Sequence, residues 1–369
     1  MKIVFIANIR LPTEKAHGAQ IMKTCEALVE LGHDVELVVP DRASIITEDP
    51  FVYYGLTTRF PVRRLPVYDT IGKYGKLGFF IESLSFAYAV RQYLRNNSCD
   101  ILYGRDEHIL ACLRGPYVWE SHTGAWNVAA HVVARHARRI VTISQGLKDF
   151  YIANSISAEK IFVARDGVYF ERFAHPPSKR EARKRLGLHV GTKIVMYIGR
   201  LDGLKGVDTL LEASKLLVDD VMLVIIGGES AQVEKLSLRY PNVRFLGFRP
   251  YRELSENMAA ADVLILPNTG KNDISAKFTS PLKLFAYMAS GIPIVASDLP
   301  SVREVLDESS AFFFRPDDAA ALALGVRQAL EDGNAQAERA LVLVKGYTWN
   351  RRAQSILSMC ADMGGRSLS

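Results

Sequence analysis

Two basic side chains follow an apolar segment in the second half of the sequence, in an arrangement that suits a phosphate ligand. The segment KIVMYIGR predicts a strand that ends at Arg200, and LDGLKGVDTLLEA then supplies Lys205 before a helix. Arginine offers a planar fork to phosphate oxygens, and lysine offers a compact charge. Together they could balance the charge of a departing nucleoside diphosphate, although their spacing alone also fits an ordinary surface loop.

A helix start lies further along, in the segment NTGKNDISAKFTSPLKLFAYMASG. Ser280 and Pro281 predict the helix N-terminus, with a hydroxyl that caps it and a proline at the first helical position. The free backbone amides of such a terminus would face an anion. A structural cap without any ligand is the common alternative.

A third loop, NIRLPTEKAHGAQ, places Gly18 just before the first predicted helix. The missing side chain would let a substrate approach the backbone there, although one glycine is a weak signal. No G-x-G-x-x-G follows the first predicted strand, and the sequence has no P-loop motif. The missing G-x-G-x-x-G counts against a dinucleotide oxidoreductase of the usual kind.

These loops are positioned by a repeating order of apolar strand, turn and amphipathic helix, which predicts parallel sheets covered by helices. The sequence has 369 residues, of which 49% are hydrophobic and 23% are charged, and this size suits two hydrophobic cores. The predicted strands lie at residues 1–7, 34–40, 101–103, 117–119, 140–144, 161–164, 193–198, 221–226, 243–245, 263–266 and 294–296. Helices are predicted at residues 19–31, 208–217, 282–289 and 319–331.

A proline-led, charged stretch, HPPSKREARKRLGL, divides the two series of strands. It predicts a linker that runs into a short helix. The sequence therefore predicts a doubly wound domain of residues 1–172 and a second one of residues 173–347. Ligands of open α/β sheets bind beyond the carboxyl ends of the strands, so we expect the chemistry in the facing loops of the two domains.

The charge pattern excludes some partners and leaves others open. The net charge of +6 is not gathered into a long basic tract, so no nucleic acid is expected. No segment reaches the roughly 20 apolar residues of a spanning helix, and we expect a cytoplasmic protein. Within residues 59 to 80, basic residues are interleaved with aromatic ones and face one acid, Asp69: Arg59, Arg63, Arg64, Lys73 and Lys76. This segment could rest on the inner face of an anionic membrane, and a solvated loop is the alternative.

Six segments, spread over nearly the whole chain, carry a resemblance to a known family. They are AHGAQ, YIGRLDGLKGVDTLLEA, VIIGGES, NVRFLGF, AADVLILPN and SPLKLFAYMASGIPIVASDLPSVREVL. Together they resemble the retaining glycosyltransferases of family 4, also called glycosyl transferases group 1, which have the GT-B fold. The resemblance implies two Rossmann-like domains that face each other across a cleft. Residues 1–172 would bind the acceptor, residues 173–347 the nucleotide sugar, and a helix of about residues 348–369 would cross back to the first domain.

The same resemblance implies which residues bind the donor. Arg200 and Lys205 would bind the diphosphate, assisted by the helix N-terminus. The other implied donor residues are Gly18, Phe248, Arg249, Ser280, Leu282, Lys283 and Ala286. No metal or other cofactor is expected, and no Asp-x-Asp triplet stands at the end of a predicted strand to hold magnesium.

His122, in VWESHTG, matches a family histidine that faces the donor sugar, and it is the main catalytic candidate beside Arg200 and Lys205. Its imidazole could hydrogen-bond a sugar hydroxyl and so position the anomeric carbon, whereas a histidine that caps the next turn is the alternative. His17 and Glu120 are secondary candidates. In this family the acceptor hydroxyl attacks the face from which the diphosphate departs, so no enzymic nucleophile is required.

One departure from the family pattern concerns two glutamates eight positions apart, the second of which binds the ribose. These positions are Phe278 and Ala286 here. Asp273 could compensate for the missing glutamate, or Ala286 could be an engineered substitution. The chain could also be a catalytically impaired nucleotide-sugar or glycan-binding protein. The resemblance implies a hexosyltransferase of envelope polysaccharide or lipid-linked glycan synthesis. It does not identify the nucleotide, the sugar, the acceptor, the linkage or the oligomeric state.

Overall fold

The computed structural model describes residues 1–113, 115–218 and 220–360, and the chain divides into two compact units. Unit 1 consists of Met1–Arg165 and the helix that begins at Trp349, and unit 2 is Asp166–Thr348. The division therefore falls before the sequence-based boundary at residues 172 and 173. The division falls earlier because Val168 pairs with Thr348 and packs into the core of unit 2, so the residues just after Arg165 belong to unit 2.

Unit 1 contains a seven-stranded parallel sheet with the strand order β3-β2-β1-β4-β5-β6-β7. Its strands are β1 Lys2–Ile6, β2 Asp34–Asp41, β3 Val62–Pro66, β4 Ile101–Gly104, β5 Val118–Ser121, β6 Arg139–Thr142 and β7 Ile161–Val163. Its helices before the division are α1 Ala16–Glu30, α2 Pro50–Tyr54, α3 Ile71–Asn96, α4 Glu107–Leu110, α5 Val128–His136 and α6 Gln145–Ala153. The order of the strands reverses between β1 and β4, which is where such sheets bind ligands.

Unit 2 contains a six-stranded parallel sheet with the order β10-β9-β8-β11-β12-β13. Its strands are β8 Lys193–Ile198, β9 Val221–Ile226, β10 Val243–Phe245, β11 Val263–Leu266, β12 Ile294–Ser297 and β13 Phe312–Phe314. Its helices are α7 Lys179–Arg185, α8 Val207–Ala213, α9 Ser230–Arg239, α10 Leu254–Met258, α11 Asp273–Ala276, α12 Leu282–Ser290, α13 Pro300–Arg303, α14 Ala319–Asp332 and α15 Asn334–Leu343. Here the order reverses between β8 and β11.

The last described helix, α16 Trp349–Cys360, packs on α1 and so belongs to unit 1. It buries Trp349, Arg352, Ala353 and Ile356, which are spaced as one face of a helix. This confirms the predicted return helix over its described part. The remainder of the predicted range, residues 361–369, lies outside the described residues.

Local sequence signals account for several element boundaries. Ser178 and Glu181 form a reciprocal capping box at the start of α7, and Asp318 caps α14 through two backbone amides. Gly291 ends α12 with a φ of 66°, a conformation that favours glycine. The predicted linker at HPPSKREARKRLGL therefore does run into a short helix.

The segment of residues 59 to 80 is not a single loop, because it contains strand β3 and the start of α3. Arg59 pairs with Asp49 at 3.2 Å, and Arg63 pairs with Glu36 at 3.3 Å. Lys73 and Lys76 are exposed, and neither has an ion-pair partner in the part of the chain that is described. Among the described residues, no helix is long and apolar enough to cross a membrane.

Candidate active site

The carboxyl ends of the central strands of unit 2 lie at one edge of the sheet and carry most of the predicted donor residues. Arg200 follows β8, and Phe248 and Arg249 follow the edge strand β10. The Gly227 N–H donates to the Gly247 carbonyl at 2.7 Å, which holds the loop after β10 beside the turn after β9. Phe248 is half exposed, so its ring is free to stack on a flat ligand.

Lys283 is the chemically unusual residue of this edge. Its Nζ is buried and has no hydrogen-bond partner among the described residues, and it lies 4.0 Å from the centroid of the Tyr197 ring. A side chain at Gly199 would place its Cβ 2.8 Å from this Nζ, so the glycine leaves room for the ammonium. Burial, followed by the nearby Lys205 charge, lowers the pKa of Lys283 well below its ordinary value. An anion is the partner that this group lacks.

Arg200 and Lys205 lie in the turn between β8 and α8. The Asp202 carboxylate accepts from the Lys205 N–H at 3.2 Å and lies 3.4 Å from Arg200 Nε. Burial lowers the pKa of Lys205, and Asp202 opposes that shift. The Arg200 side chain is two-thirds exposed, at 67%. The structure thus brings Arg200, Lys205 and Lys283 into one basic group.

The start of α12 differs from its prediction. The helix begins at Leu282, and Pro281 is its N-cap, with no side-chain hydrogen bond to the first turn. Ser280 does not cap the helix, because its hydroxyl accepts the Asp166 N–H at 3.0 Å. The first turn of α12, which contains Leu282 and Lys283, therefore offers its amides without a competing side-chain cap.

The position where the resemblance implies a glutamate lies inside unit 2. Ala286 is fully buried in the hydrophobic core and has no polar side-chain atom. The adjacent Tyr287 accepts the Ile198 N–H at 3.0 Å, so this part of α12 is fixed against β8. Phe278 is also buried, whereas Asp273 is exposed and pairs with Lys277 at 3.0 Å. The suggested compensation by Asp273 stays a prediction.

In unit 1, Glu120 is the centre of a buried hydrogen-bond network at the end of β5. Its carboxylate accepts from Gln20 Nε2 at 2.7 Å and from the Tyr103 hydroxyl, and Arg352 Nη2 lies 2.9 Å away. His122 Nε2 lies 2.5 Å from Oε1, the carboxylate oxygen that Gln20 also contacts, whereas Tyr103 and Arg352 contact Oε2. Burial alone would raise the pKa of Glu120, but Arg352 and the His122 hydrogen bond hold it well below the ordinary value. Glu120 is therefore a carboxylate with its charge compensated.

The protonation state and tautomer of His122 depend on burial and on the Glu120 carboxylate. Burial, with the Arg105 charge, lowers the pKa of His122 to about 4, so the imidazole is neutral at physiological pH. An ionised Glu120 can only accept, so His122 Nε2 carries the proton and donates it. His122 Nδ1 is then an acceptor, and it suits a ligand hydroxyl. Arg105 Nη1 donates to Oε1, the side-chain amide oxygen of Gln20, at 2.6 Å and so belongs to the same network.

Packing against Tyr54 explains why position 18 is a glycine. A Cβ at this position would overlap the Tyr54 hydroxyl, which also accepts the Thr13 N–H at 2.8 Å. The space that the sequence suggested for a substrate is therefore occupied by Tyr54. His17 lies beside Gly18 in the first turn of α1 and is partly exposed, and its site role stays a prediction.

Sequence reasoning missed Tyr197, Gly199, Gln20, Arg105 and Arg352. Two signals could have found some of them: Gly199 directly follows a buried strand, and Arg352 takes an apolar position of an amphipathic helix. Among the described residues, no group of three or more His, Cys, Asp or Glu side chains is arranged to hold a metal ion.

Comparison with known proteins supplies a family. Residues 18–172 match the model of Glycosyltransferase Family 4, and residues 192–332 match that of Glycosyl transferases group 1. The chain is 29% identical over 223 residues to the D-inositol 3-phosphate glycosyltransferase of Corynebacterium urealyticum, covering 54% of this chain and 50% of that relative. For this and other relatives the chain spans about half of the relative's length.

A longer match is the phosphatidyl-myo-inositol mannosyltransferase of Propionibacterium freudenreichii, 24% identical over 362 residues, which cover 91% of this chain and 88% of the relative. Among solved structures, Anabaena Alr3699/HepE in complex with UDP and glucose superposes with a TM-score of 0.77 at 19% identity, covering 98% of this chain and 99% of that one. Both units are parallel-sheet, Rossmann-like domains, as that fold requires. The chain therefore belongs to the family 4, group 1 glycosyltransferases and has the GT-B fold.

Proposed function

We propose that this chain transfers a sugar from a nucleoside diphosphate sugar to a glycan or lipid-linked acceptor, with retention of the anomeric configuration. The observation that carries the proposal is the buried, unpartnered Lys283 ammonium at the uncapped start of α12. Arg200 and Lys205 add two further cations to the same group. A diphosphate supplies the anion that this arrangement lacks.

In the proposed reaction the bond between the anomeric carbon and the donor phosphate breaks first. Lys283, Lys205 and Arg200 stabilise the negative charge that develops on the departing diphosphate, together with the amides of the first turn of α12. The acceptor hydroxyl oxygen bonds to the anomeric carbon on the same face, and its proton passes to a donor phosphate oxygen. No side chain acts as the nucleophile, and no metal is required.

His122 has a positioning role in this proposal. Its neutral imidazole accepts a hydrogen bond from a hydroxyl of the transferred sugar through Nδ1, while Nε2 remains bonded to Glu120. Gln20, Tyr103 and Arg352 hold Glu120 and so fix the orientation of the ring. His122 also contacts the reacting sugar without carrying charge, which avoids repulsion with a developing cation at the anomeric carbon.

The relatives guide the choice of substrates to test. One solved structure of Alr3699/HepE holds UDP-glucose, and the names of two relatives specify inositol phosphate or phosphatidyl-myo-inositol chemistry. We therefore propose UDP and its sugars as the first donors to test, and envelope glycan synthesis as the setting. We place the reaction at the cytoplasmic face of a membrane, which residues 59 to 80 would contact through the exposed Lys73 and Lys76.

A second candidate function is a nucleotide-sugar or glycan-binding protein with impaired catalysis. Ala286 favours it, because the resemblance implies a glutamate there that binds the ribose, and alanine offers no hydrogen bond. The basic group is intact, so this alternative also requires diphosphate binding. Donor turnover distinguishes the two functions, whereas donor binding does not.

The test is thermal shift without added metal against UDP, GDP, dTDP, ADP and their sugars, followed by donor hydrolysis with the nucleotide that binds. A ligand at about a hundred times its dissociation constant adds roughly 2.7 kcal/mol to stability. Binding with hydrolysis supports the transferase, and binding without hydrolysis or transfer supports the alternative. If no nucleotide raises the melting temperature, the donor site assigned to Lys283, Lys205 and Arg200 is wrong.

A further inference from the structure

Helix α3 exposes an apolar face that the rest of unit 1 does not cover. After a kink at Tyr74 and Gly75, this face is formed by residues that we call the apolar stripe: Leu77, Phe80, Ile81, Leu84 and Tyr88, which are 62%, 56%, 37%, 47% and 66% exposed. Leu77, Ile81, Leu84 and Tyr88 follow one another at intervals of four, three and four residues and therefore share one side of the helix, and Phe80 borders them beside Ile81. A contiguous apolar surface of this kind marks an interaction site.

The buried side of α3 explains why the stripe cannot turn inward. Glu82 is fully buried there and pairs with Arg42 at 2.7 Å. Asn8 Nδ2 donates to the same carboxylate at 3.1 Å and to the Ser83 hydroxyl at 3.2 Å. Rotating the helix so that the stripe enters the core would separate Glu82 from Arg42 and Asn8, which would cost folding free energy. The helix therefore presents the stripe permanently.

Cations lie at both ends of the stripe. Lys73 and Lys76 precede it, Arg91 and Arg95 follow it, and all four are exposed. The acid of this helix, Glu82, is buried and neutralised by Arg42, so the outer face carries only positive charge. Two copies of the chain that paired through this face would bring like charges together. An anionic surface with an apolar layer beneath it has the complementary chemistry.

A cavity of about 440 Å³ adjoins the stripe. It lies between the start of α3 and α4, and its lining residues are Gly75, Lys76, Phe79, Phe80, Ser83 and His108. Phe80 belongs to both the cavity and the stripe, so the apolar surface continues from the helix face into the cavity. Such a recess can receive the end of a lipid chain.

We propose that the apolar stripe and its flanking cations form a docking surface for an anionic lipid bilayer. The surface continues along this helix face as far as Tyr88 and thus extends beyond the basic segment of residues 59 to 80. It is independent of donor chemistry, so it stands or falls separately from the transferase proposal. The stripe enters the interfacial region, and the four cations contact lipid phosphates.

Flotation of the full chain with vesicles of phosphatidylcholine, with and without phosphatidylglycerol, tests the apolar part. Wild type should float with the anionic vesicles and remain unbound with the neutral ones. The double variant Leu77→Ser and Leu84→Ser should lose more than about tenfold in partitioning, because two apolar side chains no longer enter the bilayer. Leu238→Ser is the matched control, since Leu238 is 82% exposed on α9.

A second variant pair tests the electrostatic part. Each lysine near an anionic surface contributes about fivefold, so Lys73→Gln with Lys76→Gln should lower partitioning roughly thirtyfold. The control pair, Lys184→Gln with Lys235→Gln, removes two exposed lysines of unit 2 and should leave flotation unchanged.

Three results would overturn the bilayer proposal. The first is wild type that binds UDP normally but does not float with anionic vesicles. The second is stripe variants that float as well as wild type. The third is a wild-type dimer by light scattering that becomes a monomer in the stripe variant, because the stripe would then bind a second copy. Wild type that floats but binds no nucleotide would leave this proposal standing and defeat the transferase.

Discussion

Replacing Lys283 with methionine should stabilise the free protein. The ammonium is buried without a hydrogen-bond partner among the described residues, and a group in that state costs about 1–3 kcal/mol. Methionine keeps an unbranched stem against Tyr197 and removes the charge. The lost cation–π contact offsets about 0.5–2 kcal/mol of the gain. We therefore expect a net gain of about 1 kcal/mol, or roughly 2–4 °C in Tm for a unit of this size.

The gain should depend on pH. Burial and the Lys205 charge lower the folded-state pKa of Lys283 well below the ordinary lysine value of 10.5, which applies to the unfolded chain. Between these two values the unfolded chain binds more protons, so wild-type stability rises with pH and is lost as pH falls. Lys283→Met lacks this dependence. Its advantage in Tm should be larger at about pH 7 than at about pH 10.

The same variant should bind donor nucleotide more weakly. A hydrogen bond to a charged group contributes about 1.5–3 kcal/mol, so we expect the Kd for UDP to rise roughly ten- to a hundredfold in isothermal titration calorimetry. Lys277→Met is the control, because Lys277 is exposed and pairs with Asp273. A Lys283→Met protein that melts below wild type and still binds UDP equally would refute this reasoning. Lys283 would then support the fold through Tyr197 alone.

Three further predictions concern the buried network around Glu120 and the position of Ala286. Arg352→Met leaves the Glu120 carboxylate without its cation and should cost about 3–5 kcal/mol of unfolding free energy in urea denaturation; a cost below about 1 kcal/mol would contradict the ion pair. Because the pKa of His122 is held at about 4, the transfer rate should stay constant on the acid side down to about pH 5. An inflection near the ordinary histidine pKa of about 6.5 would show an imidazole that is not desolvated. Ala286→Glu should lower the Tm of the free protein, since a carboxylate enters the core, yet tighten UDP binding by about 2 kcal/mol in calorimetry; unchanged or weaker binding would exclude a ribose contact from this position.

The structure confirms the strands that sequence reasoning identified, with small shifts at their ends. Two edge strands, β3 and β13, were missed for a physical reason. The edge strand β3 contains Arg63 and Arg64, whose charged ends reach solvent or the loop carbonyl of Leu11. An edge strand needs a partner on one side only, so the sequence of β3 is less apolar and its pattern is less distinct. Strand β13 is apolar but has only three residues, Phe312–Phe314, which is too short to show a period.

The basic group was predictable because it lies on local segments, each with a strand or helix boundary beside it. The network around Glu120 was not, since Gln20, Tyr103 and Arg352 come from distant parts of the sequence. The capping role predicted for Ser280 was wrong for the same reason. A backbone amide more than a hundred residues away, that of Asp166, takes the hydroxyl, and no local pattern records it.

The two units handle buried charge in opposite ways before any ligand binds. In unit 1, Glu120 already has its cation and its hydrogen-bond donors, so the free protein holds His122 in one orientation, and disrupting the network should harm stability and positioning together. In unit 2, the Lys283 ammonium has no hydrogen-bond partner among the described residues, so under the proposed function its desolvation cost is recovered only when the diphosphate binds. Changes in stability and in donor affinity should therefore share one sign for variants of the Glu120 network and have opposite signs for Lys283→Met. A common cause, such as general loosening of the fold, would give one sign throughout.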